Sequence, residues 1–128
     1  MKSVNTKATG NYGEELTVKF LKKKKYEIAD RNFSCKCGEI DIIAKNSKYI
    51  IFVEVKTRGE NCLDSPALAV NAAKQNKILK TAAFYLMKHP VNLQPRFDVA
   101  EIYLYGAKQH KINYIENAFI QEGEYAAF

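Results

Sequence analysis

Two short stretches carry residue types that could do chemistry together: Gly38-Glu39-Ile40-Asp41 and Phe52-Val53-Glu54-Val55-Lys56. Residues 42–53 separate the two carboxylates and contain the polar run Lys45-Asn46-Ser47-Lys48. Such a run between apolar segments is suited to a β-hairpin turn, which brings Asp41 and Glu54 to the same end of adjacent strands. Glu54 and Lys56 are two positions apart and project from one face of their strand. A few carboxylate oxygens suit a hard cation such as Mg2+ or Mn2+, which completes its shell with water and substrate phosphate. The chemistry of such a set is phosphodiester hydrolysis. The cation offsets charge developing on the phosphoryl group and lowers the pKa of a water. A lysine held beside it on a rigid strand orients that water or stabilises the extra negative charge.

Glu-x-Lys alone is common, and the competing reading is a structural ion pair of Glu54 with Lys56 or Arg58, with Asp41 at a turn. The strand around Glu54 argues against it. Ile50-Ile51-Phe52-Val53 is apolar on both faces, the pattern of a central strand covered on both sides. A carboxylate there costs on the order of several kcal/mol unless it is paired or metal-bound. Three acidic side chains, Glu14, Asp41 and Glu54, are expected to point inward against a single inward lysine, an imbalance that a cation relieves.

The elements that must position these groups follow from periodicity. A helix is expected from near Gly10 to about Lys25, after an arm at residues 1–9. At ~100° per residue, Leu16, Phe20, Thr17, Leu21 and Val18 share an arc that includes Glu14, whereas Glu15 points out among Lys19 and Lys22. The run Lys22 to Lys25 fits a solvated helix end, where cations complement the dipole. Strands are expected at about Glu27–Phe33, Glu39–Ala44 and Tyr49–Lys56. A polar loop follows, with Ser65-Pro66 as a cap and first helical position. Asn71 then recaps a helix that reaches Met87 or Lys88 and stops before His89-Pro90. Its inner stripe is read as Leu79, Ala82, Ala83 and Leu86, with Lys74, Lys77 and Lys80 on another side. Two more strands, Arg96–Leu104 and Lys111–Phe119, flank a turn at Gly106–His110, and Asp98 is expected to pair with Arg96 or another basic side chain. The tail, residues 121–128, is left unassigned. This order fits a single α/β domain over the 128 residues, a sheet with helices packed against it.

Composition narrows the partners. Twenty Lys and Arg against 14 Asp and Glu give a formal charge of +6, and 47% hydrophobic residues suffice for a core. The basic excess favours a polyanion, nucleic acid first. Cys35, Cys37 and Cys62 are odd in number with no secretory segment ahead of them, which fits a reducing cytoplasmic setting. Cys35-x-Cys37 is too tight for a zinc half-site, and all three are read as ordinary thiols. No apolar run approaches a membrane span, so no membrane partner is expected.

The run Gly13-Glu14-Glu15-Leu16 with Phe20-Leu21, then Asn32, Gly38-Glu39-Ile40-Asp41 and Phe52-Val53-Glu54-Val55-Lys56-Thr57-Arg58, resembles the YraN-type bacterial proteins. Ser65-Pro66, Lys74 and Arg96-Phe97-Asp98-Val99 fit the same pattern, over residues 10–118. That family is similar in turn to archaeal Holliday junction resolvases and the PD-(D/E)xK nuclease superfamily. The resemblance implies a restriction-endonuclease-like three-layer α/β/α core with a central mixed sheet. It implies metal ligation by Asp41, Glu54 and the Val55 backbone carbonyl, with Lys56 as catalytic lysine and Glu14 completing the acidic cluster. Arg58 and Lys74 fall at family positions near that site, suited to phosphate or to plain ion pairing. Resolvase-like relatives act as dimers, since paired cuts need two sites, so a homodimer is the implied assembly. Two departures stand out: Ile40 replaces the superfamily's proline before Asp41, and Thr17 replaces a small alanine-like residue. The expected function is an Mg2+- or Mn2+-dependent endonuclease on DNA, branched or otherwise structured. The alternatives are a nucleic-acid-binding module with a nuclease fold but no efficient catalysis, and a protein-interaction subunit with a relic acidic cluster.

Overall fold

The computed structural model describes residues 6–58, 71–106 and 109–119. Seven elements follow in order: α1 (Thr6–Lys23), β1 (Glu27–Cys35), β2 (Gly38–Lys45), β3 (Tyr49–Arg58), α2 (Ala72–Lys88), β4 (Gln94–Tyr105) and β5 (Gln109–Phe119). The five strands form one sheet in sequence order. β3 and β4 are parallel and every other neighbouring pair is antiparallel, so the sheet is mixed. A parallel link needs a long crossover; α2 lies in the segment that makes it.

β3 fixes the layering. Ile50 and Phe52 join a core cluster with Ile78, Leu79, Ala82 and Tyr85 of α2. Ile51 and Val53 join another with Val18 and Leu21 of α1. Alternate residues of a strand face opposite sides, so α1 and α2 cover opposite faces and β3 is dry on both. The expected α/β architecture with a mixed sheet is therefore present. Among the described residues no helix is long and apolar enough to cross a membrane.

Several elements differ from expectation at their edges. α1 begins at Thr6 and not near Gly10, so residues 6–9, expected in an arm, are helical. It stops at Lys23, and Lys25 takes a left-handed φ of 74° while the Tyr26 N–H donates to the Leu21 carbonyl at 3.0 Å. That wrap is the usual helix C-terminal closure, made here without glycine, and it leaves Lys22 to Lys25 exposed as expected. Asn71 caps α2 through its side chain, which accepts the Lys74 N–H at 2.9 Å. The buried stripe of α2 is Ile78, Leu79, Thr81, Ala82 and Tyr85, rotated from the expected set, with Ala83 and Leu86 only half-buried. Tyr85 drives the rotation: its ring meets Phe33 and Phe52 edge-on, at 5.0 and 6.2 Å between centroids. Ser65-Pro66 and the tail at residues 121–128 lie outside the described residues.

Asp98 anchors the far side of the sheet. It is 0% exposed, at a register shift between β4 and β5. Arg96 Nε and Nη2 donate to it at 3.0 and 2.8 Å, the Tyr114 hydroxyl at 2.6 Å and the Asn117 N–H at 2.9 Å. The expected Arg96 pair is present, within a larger network that satisfies both carboxylate oxygens.

α1 meets β3 at Gly13, where a Cβ would run into Thr57 Oγ1. Placing Ala there gains about 1 kcal/mol of helix propensity, against about 1–3 kcal/mol for overpacking a short β-branched side chain. Gly13→Ala is therefore expected to lower the urea midpoint, and Thr57→Ala in the same chain to restore most of it. An unchanged midpoint in the single variant would rule out this close approach.

Candidate functional site

The β2–β3 register ends at Ile42 opposite Val53. The next position along it sets Asp41 against Glu54, as the hairpin predicts. There the ladder gives way to a side chain: Asp41 Oδ2 accepts the Val55 N–H at 2.8 Å. A strand residue presents its N–H and C=O to the same edge. The Val55 carbonyl therefore faces the Asp41 side, beyond the last β2–β3 pair. The turn that sets this register is tied by Asn46, whose Oδ1 accepts the N–H groups of Lys48 and Tyr49 at 2.9 and 2.7 Å.

Asp41 is the electrostatic centre of the site. Burial pushes its carboxyl up from the ordinary 3.8, and the Glu54 carboxylate adds to this, to about 6. The Val55 N–H and the Lys74 charge pull the other way, and exposed Glu39 pushes up again. No lysine or arginine among the described residues forms an ion pair with Asp41. Glu14 answers to the same charge: burial raises its carboxyl, Asp41 raises it further, and contacts from Asn32 and Arg31 lower it. The two adjacent glutamates of α1 diverge as expected, the Glu14 side chain 12% exposed and that of Glu15 56%.

The balancing cations differ from expectation. Lys56 is not the sole inward cation. Lys74, expected on a solvated stripe of α2, turns its Nζ to 3.4 Å from Glu54 Oε2. Glu54 is only 8% exposed, so this contact stands in for lost water. Arg31 of β1 reaches Glu14 at 3.6 Å and Glu15 at 2.8 Å. Lys56 is half-buried and forms no ion pair with a described residue. Its register partner on β4 is Glu101, which is 1% exposed. Glu101 Oε1 accepts from the Tyr103 hydroxyl at 3.0 Å and the Asn113 amide at 3.1 Å. Its Oε2 has Arg58 Nη2 at 3.9 Å but no hydrogen bond. Arg58 is thus committed in part to a buried acid.

Arg31 and Glu101 escaped the sequence reading. Glu101 left a trace: it shares the parity of Phe97 and Val99, a lone charge on a core-facing row. Arg31 left none, because the left-handed Asn32 next to it, φ 53°, disturbs the alternation that would have told its direction.

Among the described residues no three His, Cys, Asp or Glu side chains form a group that could hold a metal. Two carboxylates with a main-chain carbonyl remain, and this is a set Mg2+ accepts, since it keeps several waters and takes one or two carboxylates. Asp41, half-buried and outside any ion pair among the described residues, is the observation that fits a cation best.

The chain matches the model of the uncharacterised protein family UPF0102 over residues 13–102. That span takes in Glu14, Asp41, Glu54, Lys56, Lys74 and Glu101. A UPF0102 protein of Caldanaerobacter subterraneus subsp. tengcongensis is 46% identical, the alignment covering 93% of this chain and 100% of the relative. A UPF0102 protein of Clostridium acetobutylicum is also 46% identical, over 93% and 98%. One from Clostridium perfringens is 42% identical over the same shares. The chain belongs to the UPF0102 family, the YraN-type proteins that its motifs resemble.

Proposed function

We propose that this protein is a divalent-metal-dependent endonuclease of the PD-(D/E)xK type, with a restriction-endonuclease-like core, that hydrolyses phosphodiester bonds of branched or otherwise structured DNA. The carrying observation is Asp41: a half-buried carboxylate, pushed towards neutrality by desolvation and then by Glu54, and outside any ion pair among the described residues. Asp41, Glu54 and the Val55 carbonyl would hold Mg2+ or Mn2+, with Glu14 behind Asp41. Bound there, the metal supplies Lewis-acid charge neutralisation and a water of lowered pKa. The chain's own groups do the positioning. The Val55 N–H fixes the Asp41 carboxylate before any ligand arrives. Lys56, two residues beyond Glu54 on rigid strand and outside any ion pair among the described residues, would hold a water or offset charge on the phosphate. Lys74 and Arg58 supply positive charge to the same strand end. The excess of +6 over the whole chain favours DNA approach. Paired cuts in a branched substrate would need two copies of the chain, acting in the cytoplasm.

A second reading, a nucleic-acid-binding module without efficient catalysis, is favoured by one feature: Lys74 and Arg31 already stand within ion-pair distance of Glu54 and Glu14. It is distinguished by binding that falls steeply with salt while no substrate is cut with any metal.

The endonuclease reading predicts Mg2+- or Mn2+-dependent cutting of junction, flap or single-stranded DNA. Glu54→Ala and Lys56→Ala should each lose about a hundredfold or more of the rate. Variants that cut like the parent protein would assign the activity to a contaminant.

A second expectation concerns stability. The Asp41 carboxyl titrates near 6 in the folded chain against an ordinary 3.8. The folded state therefore holds the proton more tightly, and stability falls as pH rises from about 4 through about 6. Two pKa units correspond to nearly 3 kcal/mol; allowing for partial exposure, about 2 kcal/mol is expected. Asp41→Asn should thus be more stable than the parent in chelator at about pH 7–8 and indistinguishable at about pH 4. Millimolar Mn2+ should raise the melting temperature of the parent but not of the variant. A variant less stable at every pH would refute the uncompensated charge.

A further inference from the structure

The β1–β2 hairpin tip holds a second group of reactive atoms, independent of the carboxylates. Cys35 pairs with Gly38, so Lys36 and Cys37 form a two-residue turn. The tip is seated on α2: Gly38 has φ 151°, and a Cβ there would meet Thr81 Oγ1 at 3.2 Å and the Lys77 side chain at 3.6 Å. Around Cys35 Sγ three donors converge. The Cys37 N–H donates to it at 3.3 Å. The Gly38 N–H and the Cys37 thiol also approach the same sulfur. Successive backbone N–H groups turned to one point form a nest for an anion.

The two thiols are unequal. Burial pushes the Cys35 thiol up, but the hydrogen bonds outweigh it and hold the group below its ordinary value. Cys37 moves the other way, raised by burial and then by Cys35, with Lys80 pulling weakly down. Cys35 is half-buried and Cys37 exposed, and both are free thiols. Residues two apart have Cα atoms at most about 7 Å from one another, close to the span of a disulfide.

The geometry points to a peroxide-reactive dithiol, in which Cys35 is the nucleophile and Cys37 the resolving thiol of an intramolecular disulfide. The Cys35 thiolate attacks one oxygen of a hydroperoxide. The O–O bond breaks, the leaving oxygen takes a proton as alcohol or water, and Cys35 becomes a sulfenic acid. The Cys37 sulfur then attacks the Cys35 sulfur, the S–O bond breaks, and the hydroxide leaves as water with the Cys37 proton. Two thiols are oxidised and one peroxide is reduced.

The test uses the full chain with Cys62→Ser throughout, so that only these two thiols report. After hydrogen peroxide, the intact mass should fall by two hydrogens. Trypsin cleavage after Lys36 should leave the two flanking peptides joined until a reductant is added. Cys37→Ser should stop at a sulfenic acid on Cys35 that dimedone traps. Cys35→Ser should leave Cys37 reacting about tenfold more slowly than Cys35 does in the Cys37→Ser chain. Peptides that separate without reductant, disulfide-linked dimers in place of the internal bond, or equal rates in the two variants would overturn the assignment.

Discussion

A strand covered on both faces has no room for a charge along its covered length. β3 is such a strand, and Ile50 to Val53 are fully buried between the clusters of α1 and α2. The first position at which the strand carries a functional group is the one just past this apolar run, and Glu54 stands there, midway along β3. Its neighbours are set by the same constraint. β2 enters by a tight hairpin, which brings Asp41 alongside, and β4 runs parallel, which brings Glu101 beside Lys56. The burial that makes the core also raises the cost of each carboxylate at its edge, since partial desolvation penalises the charged form.

Two aspartates in this sheet show how differently that cost is met. Asp98 is fully buried yet receives four hydrogen bonds, two of them from a guanidinium. Such a network is structural, because every lone pair it needs is engaged and nothing is left to recruit. Asp41 receives one backbone N–H and faces a second carboxylate. Charge-assisted contacts from Lys74 and Arg31 go to Glu54 and Glu14 and stop short of Asp41. The imbalance is therefore largest at Asp41 and shared by Glu14, whose carboxyl is also raised and whose Oε1 has no hydrogen-bond partner among the described residues, a pattern that marks a functional site more often than a stabilising one.

Much of this was legible in the sequence, and the failures have a common cause. The β2–β3 hairpin, the Asn71 cap, the stop before Pro90 and the opposed fates of Glu14 and Glu15 all follow from local spacing. Local rules do not reach across the sheet. Lys74 looked like one of three surface lysines because helical periodicity cannot tell that β3 presents an acid to that turn of α2. Arg31 and Glu101 were missed for the same kind of reason, their partners lying on α1 and on β3 and β5. The rotation of the α2 stripe came from aromatic packing of Tyr85 against two strands, which no single-helix pattern encodes.

The position of α1 adds a further carboxylate to this strand edge. Its glycine at position 13 lets the helix approach β3 closely, and that approach carries Glu14 to where burial and then the Asp41 charge raise its carboxyl. A fold shaped by stability alone would gain by keeping a third acid away from two that already repel. Here close packing, which is favourable, and carboxylate proximity, which is not, are enforced by one contact. The Val55 N–H meanwhile holds the Asp41 carboxylate in a fixed orientation, which removes part of the ordering cost that a ligand would otherwise meet. Repulsion built into a rigid frame, with its orientation set in advance, is the state from which a divalent cation gains most on binding. A structural cluster of the same acids would gain by bringing a further cation to Asp41, as Lys74 and Arg31 already stand beside Glu54 and Glu14.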